Sequence, residues 1–299
     1  MCTNLVDVQS LYDKDKDLKQ DDVRKLQVWL EKQPHLPQIT ELQVALFLQS
    51  CYCSNEAAKQ ALDNYFTIKT LCQDIFGNRN VADAGFKETM NVSMLNILPK
   101  LTPEGYCINY MKLVDCDPDH FHFINQLKQF DMLTMLHLSK CGPCNGYVLV
   151  LDMEGSVFGH LTKVNLIVVK KFLFYLQEAM PVRLKGIHLV NIVSWADKLV
   201  ALLKPFMKKE LFDMLYLHPG LGGDFPKFVP KECLPNDYGG QCESIAVLHE
   251  KTKQFLNDNA EFFKWEDTQL VDESKRVGKA KGEGDFFGIE GTFKKLQVD

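Results

Sequence analysis

The sequence predicts an α/β protein in which an all-helical N-terminal domain is followed by an open, mainly parallel sheet flanked by helices. Residues 19–76 carry apolar side chains at helical spacing and no strand pattern. From about residue 90, short apolar runs alternate with helical stretches, an order that implies parallel strands joined by right-handed crossovers. We therefore expect a helical domain over 1–84, an α/β domain over 85–245, and a C-terminal helix and surface tail over 246–299.

The helices of the N-terminal domain have recognisable starts. Val23, Leu26 and Leu30 recur at helical spacing in the first of them. Thr40 and Ser54 each precede another apolar helical stretch. Both fit the N-cap position, where a side-chain oxygen accepts a hydrogen bond from a free N–H group of the first turn.

The α/β domain is predicted from short apolar runs and the helical stretches between them. "YVLVLDME" and "KGIHLVNIV" are continuous apolar runs, as expected of strands covered on both faces. Strands are predicted at 105–115, 147–154 and 185–193, with a short further one opening at residue 216. Helices are predicted at 118–140, 161–180 and 194–215, the last interrupted at Pro205.

Composition excludes several classes of protein. The chain has 299 residues, 46% of them hydrophobic, which is enough for a large core. Its formal net charge of −5 argues against a duplex nucleic-acid binder, which is usually basic. We find no secretory signal pattern, and the apolar runs are too short to span a bilayer. We expect a cytoplasmic monomer with no nucleic-acid partner.

The ten cysteines are expected to be reduced in that compartment. Their spacing, with that of the histidines, does not match a zinc site. We therefore expect neither a metal ion nor a cofactor.

The tetrapeptide Cys141-Gly142-Pro143-Cys144 has the spacing of a thioredoxin active site. Such a site needs a strand before it and a helix after it, because the helix N-terminus lowers the thiol pKa. Here a predicted helix precedes the cysteines and a strand follows, so the helix C-terminus should raise the pKa of both thiols. We interpret the segment as a turn, and a thiol oxidoreductase using Cys141 and Cys144 is a weaker alternative.

Three stretches stand in a specific order along the α/β domain. They are "NGYVLVLDMEGSVFGHL" (145–161), "KGIHLVN" to "KPFMKKEL" (185–211) and "CLPNDYGGQ" (233–241). Together they resemble the CRAL-TRIO family of lipid-binding proteins, over about residues 20–250. The tail is similar to that of insect members. The resemblance implies a sheet that floors an apolar pocket and a mobile helix that closes it.

A pocket of this kind needs an apolar lining on one face of the strands and on the segments that follow them. For each candidate, ordinary core packing is the alternative, since both strand faces are buried. The predicted ligand-binding residues are Leu133, Tyr147, Leu149, Leu151, Phe158, Val164, Phe172, Tyr175, Ile187 and Leu189.

The predicted closing helix is "SWADKLVALLKPFM", residues 194–207. Its lysines lie off an apolar stripe, so the helix could cover a pocket and then rest on a membrane surface. A static amphipathic core helix is the alternative, and Pro205 could mark a hinge. The residues of the stripe are Trp195, Leu199, Leu202, Leu203 and Phe206.

Phosphoinositide recognition is in doubt because the chain departs from the pattern of family members that bind such headgroups. Gln49, Cys51, Glu210 and Met214 stand where basic residues are common in those members. We expect at most weak attraction to an anionic membrane surface. The residues that could contact anionic headgroups are Arg183, Lys185, Lys208 and Lys209.

No catalytic site is predicted. Asp152 and His160 have no nucleophile or third partner at a recognisable spacing, and Asp237 fits an anchor of the turn "LPNDYGG". We expect a carrier that binds a retinoid, a tocopherol, a carotenoid-like molecule or another small lipid and moves it between membranes. The alternative from another class is a non-catalytic scaffold or adaptor with a collapsed pocket.

Overall fold

The computed structural model describes residues 5–288. The N-terminal region is helical, as predicted. Ser54 caps α4 by accepting a hydrogen bond from the N–H of Ala57 at 3.4 Å, and Thr40 caps α3 through the N–H of Gln43 at 3.2 Å, so both predicted N-caps are confirmed. The helices are α1 (Val8–Lys14), α2 (Gln20–Leu30), α3 (Glu41–Ser50), α4 (Asn55–Leu71), α5 (Gln73–Phe76) and α6 (Ala84–Val92).

The described residues form one five-stranded sheet in the order β1-β2-β3-β4-β5. β1 is antiparallel to β2, and the remaining neighbours are parallel, which confirms the predicted fold class. The edge strand β1 was not predicted, because its five residues mix apolar and polar side chains without a clear alternation. The strands are β1 (Ser93–Ile97), β2 (Tyr106–Leu113), β3 (Gly146–Asp152), β4 (Leu184–Val190) and β5 (Leu215–Leu217).

Helices flank the sheet, and two predicted helices prove to be divided. Asn165 accepts hydrogen bonds from the N–H groups of Ile167 and Val168, so it caps a new helix within 161–180. Pro205, which has no N–H, lies in a 3₁₀ turn, Lys204–Phe206, that separates two short helices within 194–215. The helices are α7 (Phe123–Cys141), α8 (Phe158–Thr162), α9 (Leu166–Glu178), α10 (Ala196–Leu203), α11 (Lys209–Phe212), α12 (Ile245–Asp258), α13 (Ala260–Asp267) and α14 (Glu283–Phe287).

The two faces of the sheet have different surroundings. On one face, Ile108, Val148 and Val150 pack against the segment that follows β5 and against α12, where Phe225 and Leu248 are buried. Register partners share a face in a parallel sheet, so Asn109, Leu149, Ile187 and Leu215 all lie on the opposite face. The first face is closed by packing, and the second is available for a site.

A buried charge cluster joins the N-terminal helices to the sheet domain and to α13. The carboxylate of Asp131 on α7 is fully buried, 3.2 Å from the ammonium of Lys69 on α4 and 3.5 Å from the guanidinium of Arg79. Tyr175 of α9 donates a hydrogen bond to the other oxygen of Asp131. Arg79 also pairs with Glu266 of α13 at 2.7 Å. Ionised groups at this depth are tolerated only because each has an opposite charge or hydrogen-bond partner.

The C-terminal segment is packed onto the rest of the molecule as far as residue 288. Arg276 forms an ion pair with Asp63 of α4 at 2.8 Å, and Lys281 binds the same carboxylate. Phe287 of α14 is buried, and its carbonyl accepts a hydrogen bond from Lys170 of α9. This part of the tail therefore covers the outer surface of α9 and α4.

Replacement of Asp131 by alanine should destabilise the whole protein. The change leaves Lys69 buried without its counter-charge and Tyr175 without its acceptor, which costs about 3–5 kcal/mol for a buried pair. Urea unfolding followed by circular dichroism measures this cost. Asp213→Ala, which removes an exposed ion pair with Lys209, is the control and should leave stability nearly unchanged. Equal stability of the two variants would contradict the role given to the cluster.

Candidate functional site

An apolar cavity of about 290 Å³ lies against the open face of the sheet. Two rows of strand residues form its floor. The first row contains Asn109, Leu149, Ile187 and Leu215, which are register partners across β2, β3, β4 and β5. The second row, two residues further along each strand, contains Met111, Leu151 and Leu189.

Helices and loops form the walls of the apolar cavity. α9 contributes Phe172, Leu173 and Leu176, and the first turns of α7 contribute Leu127 and Phe130. Because α9 runs back over the sheet after β3, one stripe of it faces the floor while the tail covers its outer side. The wall is therefore fixed from behind, and its inner surface is almost entirely hydrocarbon.

Two amide side chains that line the apolar cavity carry atoms with no hydrogen-bond partner among the described residues. Asn109 donates a hydrogen bond to Thr134 at 3.0 Å, and its Oδ1 is left unpaired. Gln126 accepts one from Ser93, and its Nε2 is left unpaired. Buried polar atoms are normally paired, so unpaired ones beside a cavity suggest contact with something that enters it. Sequence reasoning missed both residues.

The segment after β4 covers one end of the apolar cavity. Trp195, Leu199 and Leu203 line it from α10 and its N-terminal flank, whereas Leu202 and Phe206 do not. The helix spans eight residues, fewer than the sequence predicted, and ends where the 3₁₀ turn with Pro205 begins. Three residues of the predicted stripe thus meet at one end of the cavity.

Comparison with known proteins identifies the α/β domain. A family model described as "CRAL/TRIO domain" matches residues 91–240, and one described as "Pinta-like, UBA domain" matches residues 15–86. The chain belongs to the CRAL-TRIO family. The resemblance inferred from the three sequence motifs is thereby confirmed.

CRAL-TRIO relatives are similar over much of the chain. An alpha-tocopherol transfer protein-like protein of Mus musculus is 24% identical over 219 residues, which cover 71% of this chain and 63% of the relative. Clavesin-1 of Rattus norvegicus is 25% identical over 197 residues, covering 65% and 55% respectively. The match thus spans less than two thirds of each relative's length. The crystal structure of Sfh5 superposes with a TM-score of 0.49 and 10% identity, covering 82% of this chain and 98% of Sfh5.

Six of the ten residues predicted to bind ligand line the apolar cavity of this CRAL-TRIO domain. They are Leu149, Leu151, Val164, Phe172, Ile187 and Leu189. Their role toward a ligand stays a prediction, since position alone does not establish binding. These six residues lie together because the four strand residues share one face of the sheet, and Val164 and Phe172 belong to the segment that packs over that face.

The other four predicted residues lie outside the apolar cavity. Tyr175 is fully buried on the side of α9 that meets Asp131, and Tyr147 is buried near the start of β3. Leu133 lies on α7 away from the cavity, and Phe158 is 50% exposed with the ammonium of Lys198 5.1 Å from its ring centre. The sequence did not show which side of each helix, or which end of β3, would meet the cavity.

The four basic residues predicted to meet anionic headgroups each have a partner within the protein. Arg183 donates to the carbonyl of Gln49, and Lys185 donates to the hydroxyl of Tyr52 at 3.0 Å. Lys208 pairs with Glu178 and Lys209 with Asp213. The structure does not gather them into one basic site, and their contact with headgroups stays a prediction.

The cysteine turn connects a helix to a strand, as predicted. α7 ends at Cys141, Gly142 follows with φ +82°, and β3 begins at Gly146. Burial raises the pKa of Cys141. The expectation of a raised pKa is wrong for Cys144, because a hydrogen bond from the thiol of Cys107 lowers it. Cys107 was not predicted to lie beside this turn.

Within residues 5–288, the part of the chain that the structure describes, no three His, Cys, Asp or Glu side chains are placed to hold a metal ion. None of the described helices is long and apolar enough to cross a membrane.

The oxidoreductase alternative makes a direct prediction. The C-terminus of a helix, and not an N-terminus, adjoins Cys141 and Cys144. The protein should therefore not accelerate dithiothreitol-dependent reduction of insulin, measured by turbidity. Thioredoxin is the positive control. Acceleration that disappears in the Cys141→Ser/Cys144→Ser variant would contradict our interpretation of the turn.

Proposed function

We propose that the protein binds one small hydrophobic lipid in the apolar cavity and transfers it between membranes, without catalysing a reaction. The observation that carries this proposal is the cavity itself, with its floor of Leu149, Leu151, Ile187 and Leu189. The names of the alpha-tocopherol transfer protein-like relatives agree with a carrier of this kind. A retinoid, a tocopherol or another isoprenoid lipid has the required apolar character, and we expect the carrier to act in the cytoplasm.

The driving force for loading is removal of apolar surface from water. Burial contributes roughly 25 cal/mol per Å² of apolar surface, so a lipid that buries about 400 Å² gains about 10 kcal/mol before the costs of binding. A cavity lined by hydrocarbon gives no such gain to a charged molecule, which would lose its hydration without a compensating partner. The lining therefore favours a neutral, largely apolar ligand.

The unpaired amide atoms narrow the ligand class further. Asn109 lies at the β2 end of the first floor row, and Gln126 lies on the first turn of α7. Each has one buried amide atom without a hydrogen-bond partner among the described residues. These residues favour a lipid with a hydroxyl or carbonyl group over a pure hydrocarbon.

The surface beside the apolar cavity fits a membrane. Val157, Phe158, Leu166 and Ile167 are between 45% and 52% exposed, although they are large and apolar. We call Val157, Phe158, Leu166 and Ile167 the apolar rim. They belong to α8, α9 and their flanks, the same segment from which Leu161 and Val164 line the cavity. Such a patch can insert into the interfacial region of a bilayer while Lys163 and Lys198 stay at headgroup level.

The scaffold alternative requires a collapsed pocket. The open cavity favours the carrier, since a scaffold gains nothing from leaving apolar side chains without packing partners. The apolar rim would serve either function, so the two differ in whether the cavity accepts a lipid.

Filling the apolar cavity should abolish lipid binding while the fold is kept. Leu149→Trp places an indole on the first row of the floor and should reduce retention of all-trans-retinol or α-tocopherol by about tenfold or more, equivalent to roughly 1.4 kcal/mol. Retention is measured by gel filtration after loading. Leu149→Met conserves volume and is the matched control, and thermal unfolding verifies that both variants fold. A folded Leu149→Trp variant with undiminished retention would place the lipid elsewhere.

Charge on the apolar rim should weaken membrane contact. Phe158→Asp/Ile167→Asp replaces two exposed apolar side chains with carboxylates, which do not enter an interface, so binding to vesicles of phosphatidylcholine and phosphatidylserine should fall several-fold. Co-sedimentation measures this. Val277→Asp, at a 76% exposed position in the tail, is the control. An equal effect of both changes would show that the rim is not the docking surface.

A further inference from the structure

Besides Asn109 and Gln126, two aromatic side chains that line the apolar cavity carry a buried polar atom without a partner among the described residues. These atoms are Nε2 of His160 and Nε1 of Trp195. His160 is 4% exposed and Trp195 is 9% exposed, so water reaches neither ring freely. Buried polar atoms are normally paired, and an unpaired one needs an explanation.

The surroundings of the His160 ring make its Nε2 a hydrogen-bond donor. The backbone N–H of Val157 donates to Nδ1 of His160 at 3.1 Å and has no other acceptor among the described residues. The carbonyl of Val157 lies 3.2 Å from Nδ1, but it already accepts the backbone N–H of His160 at 3.0 Å. Because Nδ1 serves as an acceptor, the neutral ring carries its hydrogen on Nε2. The indole N–H of Trp195 is also a donor.

The two donors belong to segments that meet at one edge of the sheet. His160 lies on α8, which follows β3, and Trp195 follows β4, the parallel neighbour of β3. Leu161, next to His160, packs in the same apolar cluster as Trp195 and Met153, the residue after β3. Ligands of open α/β sheets bind at the carboxyl ends of the strands. We call His160 and Trp195 the donor edge of the apolar cavity.

Asn109 offers the opposite chemistry further back along the sheet. Its Nδ2 donates to Thr134 at 3.0 Å, so the unpaired Oδ1 is an acceptor. Asn109 precedes Leu113, the last residue of β2, by four residues, which span roughly 13 Å at about 3.3 Å per residue. The apolar cavity thus has donors at the carboxyl ends of its strands and an acceptor well inside.

The charges around the donor edge favour a neutral ligand oxygen over a carboxylate. Lys112 supplies the only ammonium group among the described residues that line the apolar cavity, and it pairs with Glu154. The carboxylate of Asp152 also lines the cavity, 3.8 Å from that ammonium. A ligand carboxylate would lose its hydration near this negative charge without gaining a free cation. A carbonyl oxygen carries no net charge and accepts two hydrogen bonds.

We propose that the donor edge binds a carbonyl oxygen of the lipid, with His160 and Trp195 as specificity-determining residues, while Asn109 accepts a hydroxyl at the far end of the ligand. The ligand class is a long apolar molecule with a carbonyl group at one end and a hydroxyl group at the other. This inference rests on the proposed carrier function and narrows it. A lipid with a single polar end leaves either the donors or the acceptor unpaired, and buried unpaired groups select against such a ligand.

Competition between two matched retinoids tests the proposal on the unmodified full chain. All-trans-retinol and all-trans-4-oxoretinol share a skeleton and a terminal hydroxyl, but the second has a ketone on the ring at the opposite end. The chain is incubated with an equimolar excess of both and passed through gel filtration, and the bound retinoids are extracted and quantified by liquid chromatography. We expect about tenfold more bound 4-oxoretinol than retinol, because its ketone pairs with donors that retinol leaves free.

The outcomes of this competition separate the two proposals. Equal binding of the two retinoids would overturn the role of the donor edge and leave the carrier function standing. Retention of neither would also overturn it, and α-tocopherol loaded in parallel then shows whether the carrier function fails as well.

Substitutions assign the preference to the donor edge. Trp195→Phe removes the indole N–H and keeps an aromatic ring, and His160→Asn removes Nε2 and keeps an acceptor for the N–H of Val157. Each should lower the ratio of bound 4-oxoretinol to retinol about threefold, and the double variant should bring it to about one. Trp265→Phe, the same change on α13, lies outside the cavity lining and is the matched control.

Thermal unfolding verifies that each variant folds. The ratio of two bound ligands is insensitive to a general loss of binding, so it separates lost recognition from structural damage. An unchanged ratio in the folded double variant, or an equal fall in Trp265→Phe, would contradict the assignment.

Discussion

The packing of the N-terminal helices and α13 against the sheet domain depends on the buried ion pairs and hydrogen bond of the Asp131 carboxylate. This carboxylate binds Lys69 of the N-terminal helices and Tyr175 of α9, and it lies close to Arg79, which reaches α13. An apolar cavity lacks packing contacts on its inner side, so its walls must be held from outside. The Asp131 cluster, together with the tail that packs on α9, holds the wall that carries Phe172 and Leu176. Polar anchoring on one side of α9 allows an apolar opening on the other.

The two faces of the sheet are likewise different, one packed and one lining the apolar cavity. One face is closed by the residues around Phe225 and α12, so its apolar side chains serve stability. The other face presents Leu149 and Ile187 to the apolar cavity. Side chains of a strand alternate between faces, so one run such as "YVLVL" supplies both the packed core and the floor of the site. The apolar cavity therefore lies on the face opposite the packed core.

Much of the fold and part of the site could be predicted from the sequence. The alternation of apolar runs and helices was sufficient to predict a parallel sheet. Because alternate residues of a strand share a face, the sequence also placed Leu149 and Leu189 on one face. β1 was not predicted because its five residues, Ser93–Ile97, mix apolar and polar side chains without a clear alternation. Tyr175 donates a hydrogen bond to Asp131, and Cys107 lines the same surface depression as Cys144, although the members of each pair are far apart in the sequence. Local patterns carry no information about such partners.

The central claim is that the apolar cavity holds a lipid. Native mass spectrometry of the full chain, purified gently from a lipid-rich extract, tests it most directly. We expect a species heavier than the bare polypeptide by one neutral lipid, which organic extraction removes and whose mass identifies the ligand. A bare polypeptide that also takes up no lipid from a broad panel of retinoids, tocopherols, carotenoids and other small lipids would contradict the account.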